Sequence, residues 1–442
     1  MRGRLNLFQA AMLRWRGFHP YNAVHVAELP GPLDAPRLAA AVADHLEALG
    51  VTGLVLDAAR RRFEFRGGRV EYPVPVLPGG PAPLPVIEQE MERQLNEGFP
   101  ASGAFEPFRF FAVDAGGTFH LGVAYDHFLA GGDSIVVLLK GIAVRYRGGT
   151  PALPPPERYP RTYEWLFARN FLAAHVGQYY LPSMLLRMRR AFRPRYRYGE
   201  GWTNGFTSVQ FPPDCYRAVV AAAKRWGVTF NDLLLALVFV ALSPEVPERH
   251  GQRRRRELAI ASVINIRHEL AGPPDETFGQ FLSSQIVMHP ATPDTPLEAL
   301  ARDIHAQTQR VKRRKLYLMT LYMLSWGAIA WPFMTPAQRK HVYAKNYPVW
   351  AGLSTLNVDA LWRQAAGETP VLHYLRAVST GPFSPMVVAP ASVGDALHIG
   401  LSYRTAAFSA GDMARISAAL LAAARGLVPA TAAKVPAQEL AA

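Results

Sequence analysis

The chain has 442 residues, too many for one ordinary core and enough for two, because single hydrophobic cores stop growing near about 250 to 300 residues. Half of the residues are hydrophobic and 19% are charged, which excludes a mainly disordered protein. A formal charge of +14 makes phosphates, acidic proteins or anionic lipid headgroups the natural partners of its surface, and the lone cysteine, Cys215, excludes an intramolecular disulfide scaffold and a cysteine-based zinc site.

The N-terminal run has a basic start and a short apolar stretch, but Arg14 and Arg16 interrupt it and no small-residue cleavage site follows; it reads as no secretory signal. A strand is expected around residues 23–29. Pro36 then sits in a first helical turn, and Leu38, Val42, Leu46 and Leu49 follow at helical spacing, which predicts an amphipathic helix over 35–49. Residues 62–77 place Gly67 and Gly68 between strand-like runs, predicting a hairpin. A second hairpin is predicted from strands 108–113 and 118–125 about the turn 114–117. Its second strand runs into Asp126 and His127, so its end presents a side chain at a fixed place. Two glycines follow, then Asp133 or Ser134 in N-cap position before a helix with Ile135, Leu139, Ile142 and Tyr146 on one face.

Prolines 151, 154, 155, 156 and 160 and an aromatic, arginine-rich run to Arg197 place a boundary near residues 195–205, giving an N-terminal lobe 1–198 and a C-terminal lobe 199–442. In the second half, a helix over 213–226 is stopped by Gly227, and Thr229 with Asp232 forms a capping box for a helix over 230–242. Buried strands are expected at 258–266, 281–288 and 371–378. Gly394 and Asp395 turn a hairpin into 397–403, and Ser409 with Asp412 caps a last helix over 411–427. Strands and helices alternate in both halves, so the fold class is α/β with mixed sheets.

Residues 316–338 carry no charge and are flanked by Lys312, Arg313, Arg314 and Lys315 on one side and Arg339 and Lys340 on the other. The length would span a bilayer, but Pro332, Pro336 and aromatics scattered through the middle argue instead for burial or for peripheral contact with anionic lipid. The expected location is cytoplasmic, with peripheral contact at the inner face of the membrane. Arginines 187, 189, 190, 193, 195 and 197, and the run 253–256, read as solvated faces or as contacts for coenzyme A phosphates, an acidic carrier protein or lipid. The charge lies in separate patches and no nucleic-acid-binding module is recognisable, so nucleic acid is not an expected partner.

No phosphate-cradling GxxxxGK[ST], dinucleotide GxGxxG, nucleophile-elbow GxSxG or metal-binding HExxH occurs. What remains is YDHFLAGGDSIVVLL, residues 125–139. In isolation a histidine in such a turn is more often structural than catalytic, and the chain has 13.

That run resembles the HHxxxDG motif of the chloramphenicol acetyltransferase-like superfamily, which includes condensation domains, wax ester synthases and alcohol acyltransferases. Other pieces are similar in the same order: the helix pair 211–242 with its Gly-Val-Thr-x-Asn-Asp joint, the strand 258–270 ending in an arginine, FGQFLSS at 278–284, and the ending LHIGLSYRTAAFSAGDMARI. The resemblance covers nearly the whole chain. It implies two similar lobes of mixed sheets flanked by helices, meeting at an active-site tunnel, and a role in lipid or secondary-metabolite synthesis.

Carried over, His127 takes the place of the second motif histidine. It would deprotonate the hydroxyl or amine of a small-molecule, hydrophobic acceptor as it attacks the thioester of acyl-CoA or of acyl-phosphopantetheine on a carrier protein. No metal, redox group or tightly bound cofactor is implied.

Asp126 stands at the first histidine position, Gly131 at the motif aspartate and Gly132 at the motif glycine. In the family that aspartate pairs with an arginine to hold the turn. Here Asp133 either substitutes, with Arg267 as its partner, or caps the following helix. Ser354, Thr355 and Asn357 resemble the strand that lines the tunnel and are candidate oxyanion donors. The alternative to transfer is a catalytically inactive condensation-domain-like protein that keeps the site for binding or docking.

Overall fold

The computed structural model describes residues 2–153, 166, 169–269, 278–362 and 369–429. Prolines 154–160, Leu270 and the end of the alanine-rich tail lie outside the described residues.

Local signals explain most element ends. Asp34 accepts a hydrogen bond from the Arg37 amide and caps Ala35–Leu49, with Pro36 in the first turn and Gly50 in left-handed conformation at the end. Thr229 and Asp232 form a reciprocal capping box for Phe230–Leu242, as do Ser409 and Asp412 for Ala410–Arg425. The hairpins Phe108–Asp114/Thr118–Asp126 and Met386–Val393/Ala396–Arg404 form in antiparallel register. The helix Leu7–Arg16 was not among the sequence expectations; it buries Phe8, Met12 and Trp15 and is closed at its start by an Asn6/Gln9 capping box.

Three sheets result. The first-lobe sheet has the order Tyr374–Val378, Asn22–Pro30, Thr118–Asp126, Phe108–Asp114, Val76–Pro78. The second-lobe sheet runs Leu282–His289, Leu258–Asn265, Ala351–Leu353, Met386–Val393, Ala396–Arg404, Asn204–Phe211, with Leu356–Asn357 beside Met386–Val393. Its mixed character comes from parallel pairing at Ala351–Leu353 among antiparallel neighbours. A small sheet joins Arg2–Arg4, Arg62–Phe65, Leu54–Asp57 and Gly103–Phe105.

The strand Tyr374–Val378 follows most of the second-lobe strands in sequence yet pairs with Asn22–Pro30 in the first-lobe sheet. It passes close to Ala396–Arg404 on the way: a Cβ on Gly400 would lie 1.9 Å from the Arg376 carbonyl oxygen, so only glycine admits this approach. The crossing strand therefore carries side chains from late in the chain into the wall of the first lobe.

Two local expectations are corrected. Gly67 and Gly68, both at positive φ, do not turn a hairpin. The chain folds back on Thr52 and Gly53 through the amides of Gly67 and Arg66, and Arg62–Phe65 and Val76–Pro78 end in different sheets. Pro73 and Pro75 remove the ladder donors a hairpin partner would need. The helix expected to begin at Asp133 or Ser134 is Gly132–Tyr146, with Gly131 at the N-cap and no side-chain cap. Asp133 and Ser134 are engaged elsewhere, as described below.

Residues 316–338 do not form one helix. Leu318–Ala330 ends in the short 3-10 turn Trp331–Phe333, and Pro336 starts Pro336–Asn346. Among the described residues no single helix is long and apolar enough to cross a membrane. One face of Leu318–Ala330 is buried through Leu318, Leu321 and Leu324, while Trp326, Ile329 and the following Phe333 are 65%, 62% and 85% exposed.

Candidate active site at His127

The strand Thr118–Asp126 is buried along nearly its whole length, and its paired neighbours on both sides fix its end. His127, the next residue, is clamped by its backbone. Its amide donates to the Tyr21 carbonyl at 3.0 Å and its carbonyl accepts from Gln280 Nε2 at 3.1 Å. The ring lies between Tyr21 and Tyr125, at centroid distances of 5.5 and 6.0 Å. It is buried, its Nδ1 has no hydrogen bond of good geometry among the described residues, and burial, with Arg376 in the same direction and the Ala130 backbone opposing, pushes its pKa down to about 3. The imidazole is therefore neutral at neutral pH.

His127 opens onto a cavity of about 610 Å³ lined from both halves of the chain. Phe8, Met12 and Trp15 of Leu7–Arg16 contribute apolar surface, as do Met319 and Leu324 of the uncharged stretch; Arg187 and Arg310 bring positive charge to the same lining. The stretch that resembled a membrane segment thus has one face in this cavity.

Asp126 is not part of the cavity lining and pairs with Arg16. Burial pushes its carboxyl up to about 6, against Arg16, which pulls the other way. Gly131 sits where the resembled motif has aspartate. Its amide donates to the Gly279 carbonyl at 2.9 Å, and a Cβ there would stand 2.9 Å from Gln280 Oε1, so the position is closed by the residue that also holds the His127 carbonyl.

Asp133 is not a cap. Its Oδ2 lies 3.3 Å from Arg267 Nε and also accepts from Asn265 Nδ2. Arg267, buried, donates further from Nη2 to Ser134 Oγ at 2.6 Å and the Gly279 carbonyl at 3.0 Å. The glycine turn is thus fastened to the second half by an acid two residues after the motif position. Gly132 leaves room on the other side, where a Cβ would be 2.8 Å from Arg376 Nη1.

The three candidate oxyanion donors separate. Ser354 lines the cavity; its Oγ accepts from Arg376 Nη2 at 3.0 Å, which leaves its own proton available to another acceptor. Thr355 also lines the cavity but donates its hydroxyl to Asn231 Oδ1 at 2.9 Å. Asn357 is exposed and caps the short helix Val358–Leu361 through the Ala360 amide, so it does not belong to the site. Sequence reasoning missed His25 and Arg376, which also line the cavity. His25 Nδ1 shares a 2.6 Å hydrogen bond with the Tyr374 hydroxyl, and burial followed by Arg376 pushes its pKa down. The signal for Arg376 was present: a charge in the middle of a run that otherwise reads as a buried strand.

This architecture is the condensation-domain fold, the two-lobed arrangement of the chloramphenicol acetyltransferase-like proteins. The condensation domain of the Monacolin K polyketide synthase MokA matches with a TM-score of 0.68 at 12% identity, over 97% of this chain and 98% of that one. The first condensation domain of the calcium-dependent antibiotic synthetase, in complex with a substrate analogue, matches at 0.66 and 14%, over 97% of each chain. The X-domain of teicoplanin biosynthesis in complex with OxyB matches at 0.57 and 14%, over 97% of this chain and 94% of that one. No family profile and no curated protein matches the sequence.

Proposed function

We propose that the protein is an acyltransferase that moves an acyl group from an acyl-CoA or acyl-carrier-protein thioester to a hydroxyl, or an amine, of a hydrophobic acceptor, with His127 as general base. The observation that carries this reading is the position of the His127 imidazole, held at the wall of a largely apolar cavity shared by both halves. The imidazole accepts the acceptor's proton as its oxygen attacks the thioester carbonyl. The new C–O bond forms, the C–S bond breaks, and the imidazolium returns the proton to the departing thiolate. Ser354, its proton uncommitted, is the best placed of the candidate donors to the developing oxyanion. Arg187 and Arg310 suit a phosphate-bearing donor, and the exposed Trp326, Ile329 and Phe333, in a stretch that follows Lys312 and Arg313 in sequence, suit peripheral contact with anionic lipid.

The direct test incubates the protein with octanoyl-CoA or an octanoyl-carrier protein and 1-decanol or decylamine, following free thiol and the ester or amide by mass spectrometry. Thiol release matched by product is expected; a protein inert toward every thioester supports the second reading. That reading, a binding or docking protein without transfer, is favoured by the low basicity of His127 and by the likeness to an X-domain found in complex with OxyB.

A further inference from the structure

Among the described residues, Arg249, Arg267, Arg376 and Arg404 are buried arginines. Three are answered by the protein. Arg249 donates to the Arg256 and Ala291 carbonyls and to Ser243 Oγ, and Arg267 meets Asp133. Arg404 donates to the Gly381 carbonyl at 2.7 Å and lies 3.9 Å from the Trp202 ring centroid. Arg376 is 3% exposed and, among the described residues, makes one hydrogen bond, to Ser354 Oγ; its buried Nε, like those of Arg249 and Arg404, has no partner there. Among the described residues no carboxylate lies within ion-pair distance of it. It lines the same cavity wall as His127.

We propose that Arg376 is the anchor for a carboxylate on the substrate, so that the cavity takes an apolar acid and not a wholly neutral molecule. The inference rests on the acyl-transfer reading only for what the bound acid does next. A desolvated guanidinium is costly when the carboxylate that acts on it from beyond ion-pair distance, Asp133, is itself committed to Arg267. A ligand carboxylate supplies the missing partner with matching planar geometry. A monoanion matches the one positive charge of Arg376, whereas a phosphate dianion would leave an excess of opposite sign. Cancelling Arg376 also relieves one of the two influences that hold the His127 imidazole in its weakly basic state.

The test is equilibrium binding without any thioester, so an inert protein in the transfer assay leaves it standing. Decanoate and 1-decanol are titrated at neutral pH by calorimetry into the wild type, Arg376→Gln and Arg376→Lys. The wild type is expected to prefer decanoate by about 10- to 100-fold, the worth of a charge-assisted fork contact, Arg376→Gln to lose that preference, and Arg376→Lys to keep part of it. Should Arg376→Gln fail to fold, the wild-type ratio and the lysine variant decide. Equal affinity of the wild type for acid and alcohol, or undiminished decanoate binding by Arg376→Gln, overturns the proposal; the latter is what a role confined to the oxyanion would give. The source of the carboxylate is read from wild-type transfer rates. Preference for 10-hydroxydecanoate over 1-decanol places it on the acceptor, preference for succinyl-CoA over butyryl-CoA places it on the donor, and neither preference counts against it.

Discussion

Arg267 and Arg376 lie on opposite sides of one glycine turn, and the protein treats the two buried charges differently. Arg267 meets Asp133, Ser134 and Gly279 and ties residues 131–134 to the second half of the chain. Arg376 reaches the turn from the crossing strand and, among the described residues, hydrogen-bonds a single hydroxyl, with Asp133 acting on it only from beyond ion-pair distance. A matched charge closes a scaffold; an unmatched one in a cavity wall subtracts from stability and is characteristic of a site that a ligand completes. The comparison also explains how the turn dispenses with the aspartate of the resembled motif: the acid has moved two positions along, and the vacated position packs against Gln280.

The largest expected effect is on stability in acid, where histidines buried in the neutral state, His25 and His127 beside Arg376 among them, become a liability. His25, His45, His127 and His398 are all pushed below the ordinary histidine value, His45 and His127 to about 3 and His398 to about 4. For a depressed histidine the unfolded chain takes the proton first, so nothing is lost above about pH 6.5 and stability falls as pH drops from there toward the folded value, by about 1.4 kcal/mol per unit per group. Asp126, raised to about 6, and His373, raised by Glu28, act in the opposite sense as pH falls. Unfolding free energies from urea titrations should be larger at pH 7 than at pH 5 by several kcal/mol, with a correspondingly higher midpoint at pH 7. Equal midpoints would mean that these histidines are not buried neutral.

Next comes the matched charge. Arg267→Ala should cost about 3 to 5 kcal/mol, because it strands Asp133 and removes two further bonds, and Asp133→Ala should cost less. In a double-mutant cycle the two should fall short of additivity by about 0.5 to 3 kcal/mol. Additive costs would sever the pair. Gly131→Asp restores the motif residue but forces Gln280 off the His127 carbonyl, so a loss of about 1 to 2 kcal/mol is expected, and a gain in melting temperature would refute that packing argument. The smallest effect is on the unmatched side: Arg376→Met should leave stability unchanged or raise it, since no ion pair is lost. A loss above about 2 kcal/mol would show that Arg376 has a structural partner.

What was legible in the sequence followed the range of the interactions. Capping boxes and tight hairpins involve residues a few positions apart, so Thr229 with Asp232 and the Gly394 turn announce themselves. The Gly67–Gly68 hairpin failed because a glycine pair signals a turn without saying which strands it joins. The site itself is assembled over long separations. Local sequence favours Asp133 as cap over Asp133 as ion-pair partner, and only Arg267 placed beside it reverses that reading; the entry of Tyr374–Val378 into the first-lobe sheet has no local mark beyond an arginine amid apolar neighbours. Asn357 illustrates the converse, a residue whose local capping role outweighs a family likeness.

The central claim is that His127 transfers the proton, and changing it to alanine tests this most directly. His127 is held by its backbone, through Tyr21 and Gln280, so the fold should survive the loss of the ring. Thiol release and product formation from octanoyl-CoA and the preferred acceptor should fall by about two to four orders of magnitude in His127→Ala, with a melting temperature close to that of the wild type. A folded His127→Ala protein that transfers the acyl group at the wild-type rate would contradict the account.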